Sequence, residues 1–372
     1  MHTNNNMMPP LIKPSECDVL VIGGGPAGST AATLLAERGY KVTLLEKAHH
    51  PRFHIGESLL PANLPLLEKL GVADAVRAIG MEKWGARFVS PVHAHEQTIE
   101  FADAWDKSMP MSYQVRRSEF DEILIRNAAQ KNADVIEGCQ VKEVVFLSDS
   151  KGALVQARHD DGRLESWNTR FVLDASGRDT FLGNRLKMKN SSKKHNSTAI
   201  YAHFTGAKRD VGKQEGDITI FWFAHGWFWF IPLTNGLTSI GAVTWPYYLK
   251  TRAQKPLDDF FEENIQWFLR TRFQVIRPGH GTDAGQTIRQ RNKPKPAMLK
   301  PKNSDVAFLF PLIALGTGKV RIDRRAVVFL VAILYFQTIT EKGIASRRVK
   351  HKAGVPGLQP PVVVPRLHQC TL

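Results

Sequence analysis

Cysteine is scarce in this chain: three in 372 residues, Cys17, Cys139 and Cys370, far apart and in no CxxC or metal-ligand spacing. That excludes a disulfide-stapled fold, gives no reason to expect a metal site, and fits a reducing compartment. Long apolar runs are missing as well. The longest, residues 326–336, is eleven residues between Arg325 and Gln337, short of the roughly 20 a helix needs to cross a bilayer. Residues 1–16 contain Asn and Pro but no apolar stretch of the kind that opens a secretory signal. They read as a disordered leader, and the protein is expected to be cytoplasmic, soluble and without a membrane partner. Low-complexity tracts are absent too, and 43% hydrophobic residues over this length suffice for a core in one or two domains.

Acidic residues run short in one region only. The chain has 50 Lys and Arg against 35 Asp and Glu, a net of +15, which taken alone suggests a polyanionic partner. Residues 1–266, however, hold 31 of each sign, whereas residues 267–372 hold 19 basic and 4 acidic. The whole excess belongs to the tail. Its basic residues are interleaved with aliphatic runs and match no nucleic-acid motif, so no nucleic-acid partner is expected.

What the body does contain begins with residues 17–22 (CDVLVI), a β-branched run suited to a buried parallel strand. Gly23-Gly24-Gly25-Pro26-Ala27-Gly28 follows directly, then an Ala/Leu-rich helix over 29–38 and a second strand over 41–45, with Glu46 twenty-one residues after Gly25. A bare GxGxxG is weak. Here the strand before it, the helix after it, the second strand and the distant acid are all present, which is the context of dinucleotide binding. Gly23 permits the tight turn, Gly25 the close approach of a diphosphate, and Gly28 the packing of helix on strand. The helix N-terminus offers N–H groups to phosphates, and Glu46 suits a ribose.

Further on, an early polar excursion, residues 47–57 (KAHHPRFHIGE), leads through Ser58 to a helix ending near Leu70. A helix opens with Arg117, strands are expected at 135–137, 142–147, 153–159 and 170–173, and the last runs into Asp174-Ala175-Ser176-Gly177. Between 198 and 245 the pattern becomes aromatic and alternating, with strands at 198–204, 217–223, 227–233 and 237–245, an antiparallel sheet in which Trp227 and Trp229 share a face. Residues 256–266 (PLDDFFEENIQ) read as an acidic amphipathic helix.

The GxGxxG unit with Glu46, the PRFHIGESLLP segment, the QVxRxxFD pattern at 114–121 and the DASG turn together resemble the FAD-dependent monooxygenase and halogenase superfamily. GWFWFIP at 226–232 is similar to the WxWxIP signature of flavin-dependent halogenases, carried by Trp227, Trp229, Ile231 and Pro232. The resemblance implies an α/β fold: a Rossmann-type, glutathione-reductase-like FAD-binding domain over 17–190 and an antiparallel substrate domain over 191–266. It implies FAD held by Gly23, Gly25, Ala27, Gly28, Glu46, Arg52, Glu57, Ser58, Arg117, Asp174 and Gly177, with the two tryptophans, Ile231 and Pro232 near flavin and substrate. It also implies a catalytic lysine ahead of a small-residue strand, which Glu82-Lys83-Trp84-Gly85 matches. In the family, reduced flavin, oxygen and halide yield hypohalous acid, which reaches an electron-rich aromatic substrate through that lysine; a separate reductase supplies the reduced FAD.

The simpler readings are a solvated Lys83 before a strand, Glu57 and Ser58 as caps of the helix near Leu60, a structural His54, and a plain turn at Asp174. A flavin monooxygenase, a prenyl-chain reductase and a non-catalytic remnant are the rival functions. Beyond 266 the family's GDA…DP segment is not found. The resemblance is expected to stop there, and a change of reading frame near Gln266 explains the coincident change of composition better than a basic appendage.

Overall fold

The computed structural model describes residues 14–104, 106–148, 152–189, 197–257 and 259–266, with the backbone of 289–290 and 297–299. The rest of the basic tail, and all but the last residues of the expected leader, lie outside the described residues. All described residues belong to one compact unit.

The chain opens with β1 (Ser15–Ile22), α1 (Pro26–Ala36) and β2 (Val42–Leu45). Ser15 and Glu16 are therefore part of the sheet, not of the leader. The helix starts at Pro26, earlier than Ser29, because proline's fixed φ and missing N–H suit the first helical turn. Then come α2 (Leu64–Leu70), α3 (Ala73–Ile79), β3 (Met81–Lys83), β4 (Gly85–Ser90), β5 (His95–Glu100), β6 (Ser112–Gln114), α4 (Arg117–Gln130) and β7 (Asp134–Ile136). A meander follows, β8 (Cys139–Phe146), β9 (Ala153–His159) and β10 (Leu164–Asp174), and after it α5 (Phe181–Arg185). The second half holds β11 (Thr198–Thr205), β12 (Ile218–Phe223), β13 (Gly226–Pro232), β14 (Leu237–Thr244), α6 (Pro246–Lys250), helical residues 259–266, and the short β15 (Arg289–Gln290) and β16 (Ala297–Leu299).

One sheet has the order β7-β2-β1-β10-β9-β8, with the first four strands parallel and the meander antiparallel. Its parallel part is buried by α1 and α4: Val19, Val21, Val42 and Leu44 pack against Ala31, Ala32, Ile125 and Ala128. Burial on both faces is why these strands are continuous apolar runs without alternation.

The second sheet runs β15-β11-β14-β13-β12-β4-β5, with β16 also on β11. Two of its strands, β4 and β5, come from residues 85–100, inside the span assigned by sequence to the FAD-binding domain, so the two layers are interleaved along the chain. On one face Phe221, Phe228, Phe230 and Ile240 pack with Phe260, Phe261 and Ile265 of the acidic helix. On the other, Tyr201, Ile220, Trp229 and Ile231 pack with Trp227 and with Ile55 from the polar excursion. A sheet covered on both sides explains why GWFWFIP shows no polar alternation. A third, two-stranded sheet pairs β3 with β6, setting Lys83 opposite Ser112. Among the described residues no helix is long and apolar enough to cross a membrane.

Candidate active site

Residues 23–28 turn the chain from β1 into α1 with no room for side chains at the crossing. Gly23 sits at φ +102°, and a Cβ on Gly28 would lie 1.9 Å from the Gly23 carbonyl oxygen. At Gly25 the space is open, its nearest neighbour being Arg52 Nη2 at 3.7 Å from where a Cβ would stand. Gly25 is the N-cap of α1 and supplies no side-chain acceptor, so the first N–H groups of the helix face that space. Glu46, buried at the end of β2, accepts from Gly24 N–H at 2.6 Å and from Ala48 N–H at 2.9 Å.

Arg52 lies between two carboxylates, Nη2 3.8 Å from Glu46 and Nη1 3.3 Å from the fully buried Asp121. Its Nη1 is buried without a hydrogen-bond partner. Arg117, the first residue of α4, grips Asp121 through Nε at 2.7 Å and Nη2 at 2.9 Å, and donates from Nη1 to the Ile55 carbonyl at 2.6 Å. The excursion is thus fastened to the first sheet by two arginines. An uncapped helix N-terminus, an open glycine and the Arg52 guanidinium beside that glycine suit a diphosphate, and the residues present fit FAD.

The other end of the excursion is fastened to the second sheet. Glu57, 1% exposed, accepts from His203 Nε2 of β11 at 2.6 Å. Phe53 stacks on Tyr201 with ring centroids 6.1 Å apart, and Tyr201 leads to Trp229 and Trp227 in further steps of 6.1 Å. α2 opens at Asn63 without a side-chain cap; the Ser58 hydroxyl accepts from Lys83 and the Glu57 carboxylate from His203 instead. His54 is half-buried and hydrogen-bonds to the neighbouring Ile55 carbonyl at 3.2 Å; burial, then the Arg117 charge, pushes its pKa down.

Lys83 is 2% exposed, which rules out the solvated reading. Its Nζ donates to Ser58 Oγ at 2.8 Å and to the Leu59 carbonyl at 3.0 Å, and stands 4.9 Å from the centroid of the Phe101 ring. β6 lies between the partners, paired with the lysine's strand at one edge and bridged to Ser58 through Gln114 at the other. Burial pushes the amine down to about 7, and the charge of Asp217 opposes this without cancelling it. A drop from 10.5 corresponds to about 5 kcal/mol at ~1.4 kcal/mol per unit. Desolvation therefore outweighs the attraction, and near neutrality a large share of Lys83 is a free amine. Cys17 and Cys139, the buried thiols of the first sheet, are pushed the opposite way by burial, Cys139 up to about 11, which disfavours the thiolate.

With this geometry in hand, residues 16–288 match the model of the FAD binding domain family. The chain belongs to that family. Over this span it is a member of the FAD-dependent, halogenase-like superfamily, whose cofactor is FAD. It is 35% identical over 263 residues to tryptophan 2-halogenase of Chondromyces crocatus, covering 68% of this chain and 48% of that protein. A flavin-dependent halogenase of Armillaria mellea is 38% identical over 240 residues, covering 62% of this chain and 47% of its own length. The solved structure of the myxobacterial chondrochloren halogenase superposes with a TM-score of 0.64 at 33% identity, over 74% of this chain and 64% of that one. The chain spans about half the length of the curated relatives it matches.

The match runs to residue 288, so the FAD-binding resemblance does not stop at Gln266, and its end does not coincide with the onset of the basic excess. Within the FAD-binding fold, Gly23, Gly25, Ala27, Gly28, Glu46 and Arg52 gather at one end of the parallel sheet. Asp174 ends β10 there, but both its oxygens are taken, by Ser176 N–H at 3.0 Å and Leu182 N–H at 2.7 Å. It shapes the turn containing Gly177 (φ +63°) and caps α5. Trp229 donates from its indole to Ser239 Oγ at 3.1 Å. Ile231 and Pro232 are buried at the end of the same strand. Sequence reasoning missed Asp121, His203 and Asp217. Asp121 was legible as the partner one helical turn after Arg117; the other two lie far along the chain from what they hold.

Proposed function

We propose that this chain is the FAD-binding and lysine-bearing part of a flavin-dependent halogenase that acts on an electron-rich aromatic molecule, with halide, oxygen and reduced FAD from a separate reductase. The observation that carries the reading is a lysine 2% exposed, its amine pushed down to about 7 by burial and held by two fixed acceptors. Hydroxylation or hydride transfer needs no such amine.

Residues 23–28 with Glu46, Arg52 and Arg117 would hold FAD, which supplies hypohalous acid from oxygen and halide once reduced. Lys83 then does the protein's chemistry. Its lone pair takes the halogen from hypohalous acid: an N–halogen bond forms, the O–halogen bond breaks, and the departing hydroxide leaves as water with one amine proton. The aromatic carbon next takes the halogen, and the ring proton returns to the nitrogen. Ser58 and Leu59 orient the amine, and Phe101 keeps water from it. Trp227, Trp229 and Tyr201 form the wall on which an aromatic substrate stacks, so the first sheet serves the cofactor and the second the substrate.

The full chain, incubated with FAD, a flavin reductase, NADH, bromide and a phenol, is expected to give a product with the isotope doublet of one bromine by mass spectrometry. Lys83→Ala should lower that yield about 100-fold or more while the visible absorbance of bound FAD is unchanged. Unaltered turnover in Lys83→Ala with flavin bound overturns the route through the lysine.

A further inference from the structure

We infer that Asp217 is the positioning residue of Lys83: it holds the turn that carries the lysine and keeps a buried carboxylate next to that turn. The inference rests on the role given to Lys83 above and adds the group that governs it.

Asp217 precedes β12 and is 5% exposed. Its Oδ1 accepts both N–H groups that follow the lysine, Trp84 at 2.8 Å and Gly85 at 2.7 Å, and so pins the passage from β3 to β4. The preceding residue is pressed against the same strand: a Cβ on Gly216 would lie 1.8 Å from the Glu82 carbonyl oxygen, and the Gly216 carbonyl accepts from Gln114 Nε2 at 2.9 Å. Residues 216–217 thus fix the backbone on both sides of Lys83 from more than a hundred positions away.

The turn by itself does not need a carboxylate, since one amide oxygen could accept the same two N–H bonds. Asp217 nevertheless keeps a second oxygen, Oδ2, buried with no hydrogen-bond partner, an arrangement that costs stability. Among the described residues, Lys83 is the cation whose charge acts on Asp217. Asp217 is the acid whose field acts on Lys83, favouring the ammonium against burial. In return Lys83 opposes the burial that raises the pKa of Asp217. Of the other charged groups nearby, Glu100 also acts on Asp217, pushing its pKa up, and is bonded to Lys213 at 3.2 Å. Glu82 is exposed and accepts from the Trp84 indole at 3.3 Å; Lys213 lies over the Trp84 ring. Ser58, Leu59 and Phe101 contribute no charge.

The test is an NMR titration of the full chain carrying 13Cε/15Nζ-labelled lysine, with the Lys83 signal assigned by its absence in Lys83→Met. Asp217→Asn keeps the carbonyl acceptor and removes the charge; the Lys83 midpoint is expected to fall by about one pH unit or more, and the acid limb of kcat/KM for halogenation to move down with it. Asp217→Ala removes the acceptor too, and should speed hydrogen exchange at Trp84 and Gly85 and cut turnover at least tenfold with FAD absorbance retained. In the wild type, the amide shifts of Trp84 and Gly85 should report the Asp217 titration, and the Lys83 signal should show an inflection at the same pH. That measurement stands if the variants do not fold. An unmoved Lys83 midpoint in folded Asp217→Asn, or no shared inflection in the wild type, overturns the inference. A Lys83→Met protein that still halogenates overturns instead the role of the lysine, and leaves the coupling to be read separately.

Discussion

Residues 23–28 make a turn out of consecutive positions, and the acid that serves it, Glu46, is 22 positions from the N–H it binds. The pocket of Lys83 gathers Ser58 and Leu59 from a loop, Phe101 from the end of β5, and Asp217 from a point 133 residues beyond Trp84. The first site is shaped by backbone sterics, where an added methyl has nowhere to go. The second is shaped by electrostatics, where desolvation of one amine is set against a few fixed partners. A backbone site is written in glycine spacing, and an electrostatic site emerges only when separate strands meet.

Substitutions can break or sharpen that contrast. Gly28→Val should have the largest effect on stability, about 3 kcal/mol or more, with loss of FAD binding, read by urea unfolding and by flavin absorbance after gel filtration. A tolerated valine there would mean that the turn is not sterically determined. Lys83→Met should do the opposite, abolishing halogenation but raising stability at pH 7 by about 2 kcal/mol, because a methionine needs no desolvation of charge. The pH dependence separates the two cases further. Between the folded midpoint of about 7 and the unfolded value of 10.5, the unfolded chain holds a proton on Lys83 that the folded chain lacks. Wild-type stability should therefore climb with pH across that window relative to Lys83→Met, and the difference should level off on either side. A flat difference would mean that the lysine is solvated.

Ser58→Ala should cost about 1 kcal/mol and slow turnover, since one of the two acceptors that aim the amine is gone, while flavin absorbance stays the same. The smallest change is expected for Glu57→Gln, about 0.5–1 kcal/mol, because the amide can still accept from His203. A larger loss in a thermal melt would show that the excursion is held to the second sheet by charge.

Much of the first layer was legible from residue order. The strand, turn, helix and second strand at 15–45 follow from period and turn chemistry, as do the four aromatic strands of the second sheet from 198 to 244, with ends shifted by a few residues. β3 and β5 were not. They are short, and His95–Glu100 is exposed and polar along almost its whole length, so no hydrophobic period marks it. Membership of the second sheet was equally hidden for β4, whose parallel partner β12 lies more than a hundred residues later.

Residue order alone determined that a dinucleotide turn exists, that a lysine precedes a glycine at 83–85, and that two tryptophans share a face, because each is a matter of local spacing. Tertiary structure decided what those residues can do. The Lys83 amine is pushed down to about 7 because β6, the excursion at Ser58 and Phe101 bury it. Burial and charge proximity are sums over everything packed nearby, and spacing along a chain does not carry them.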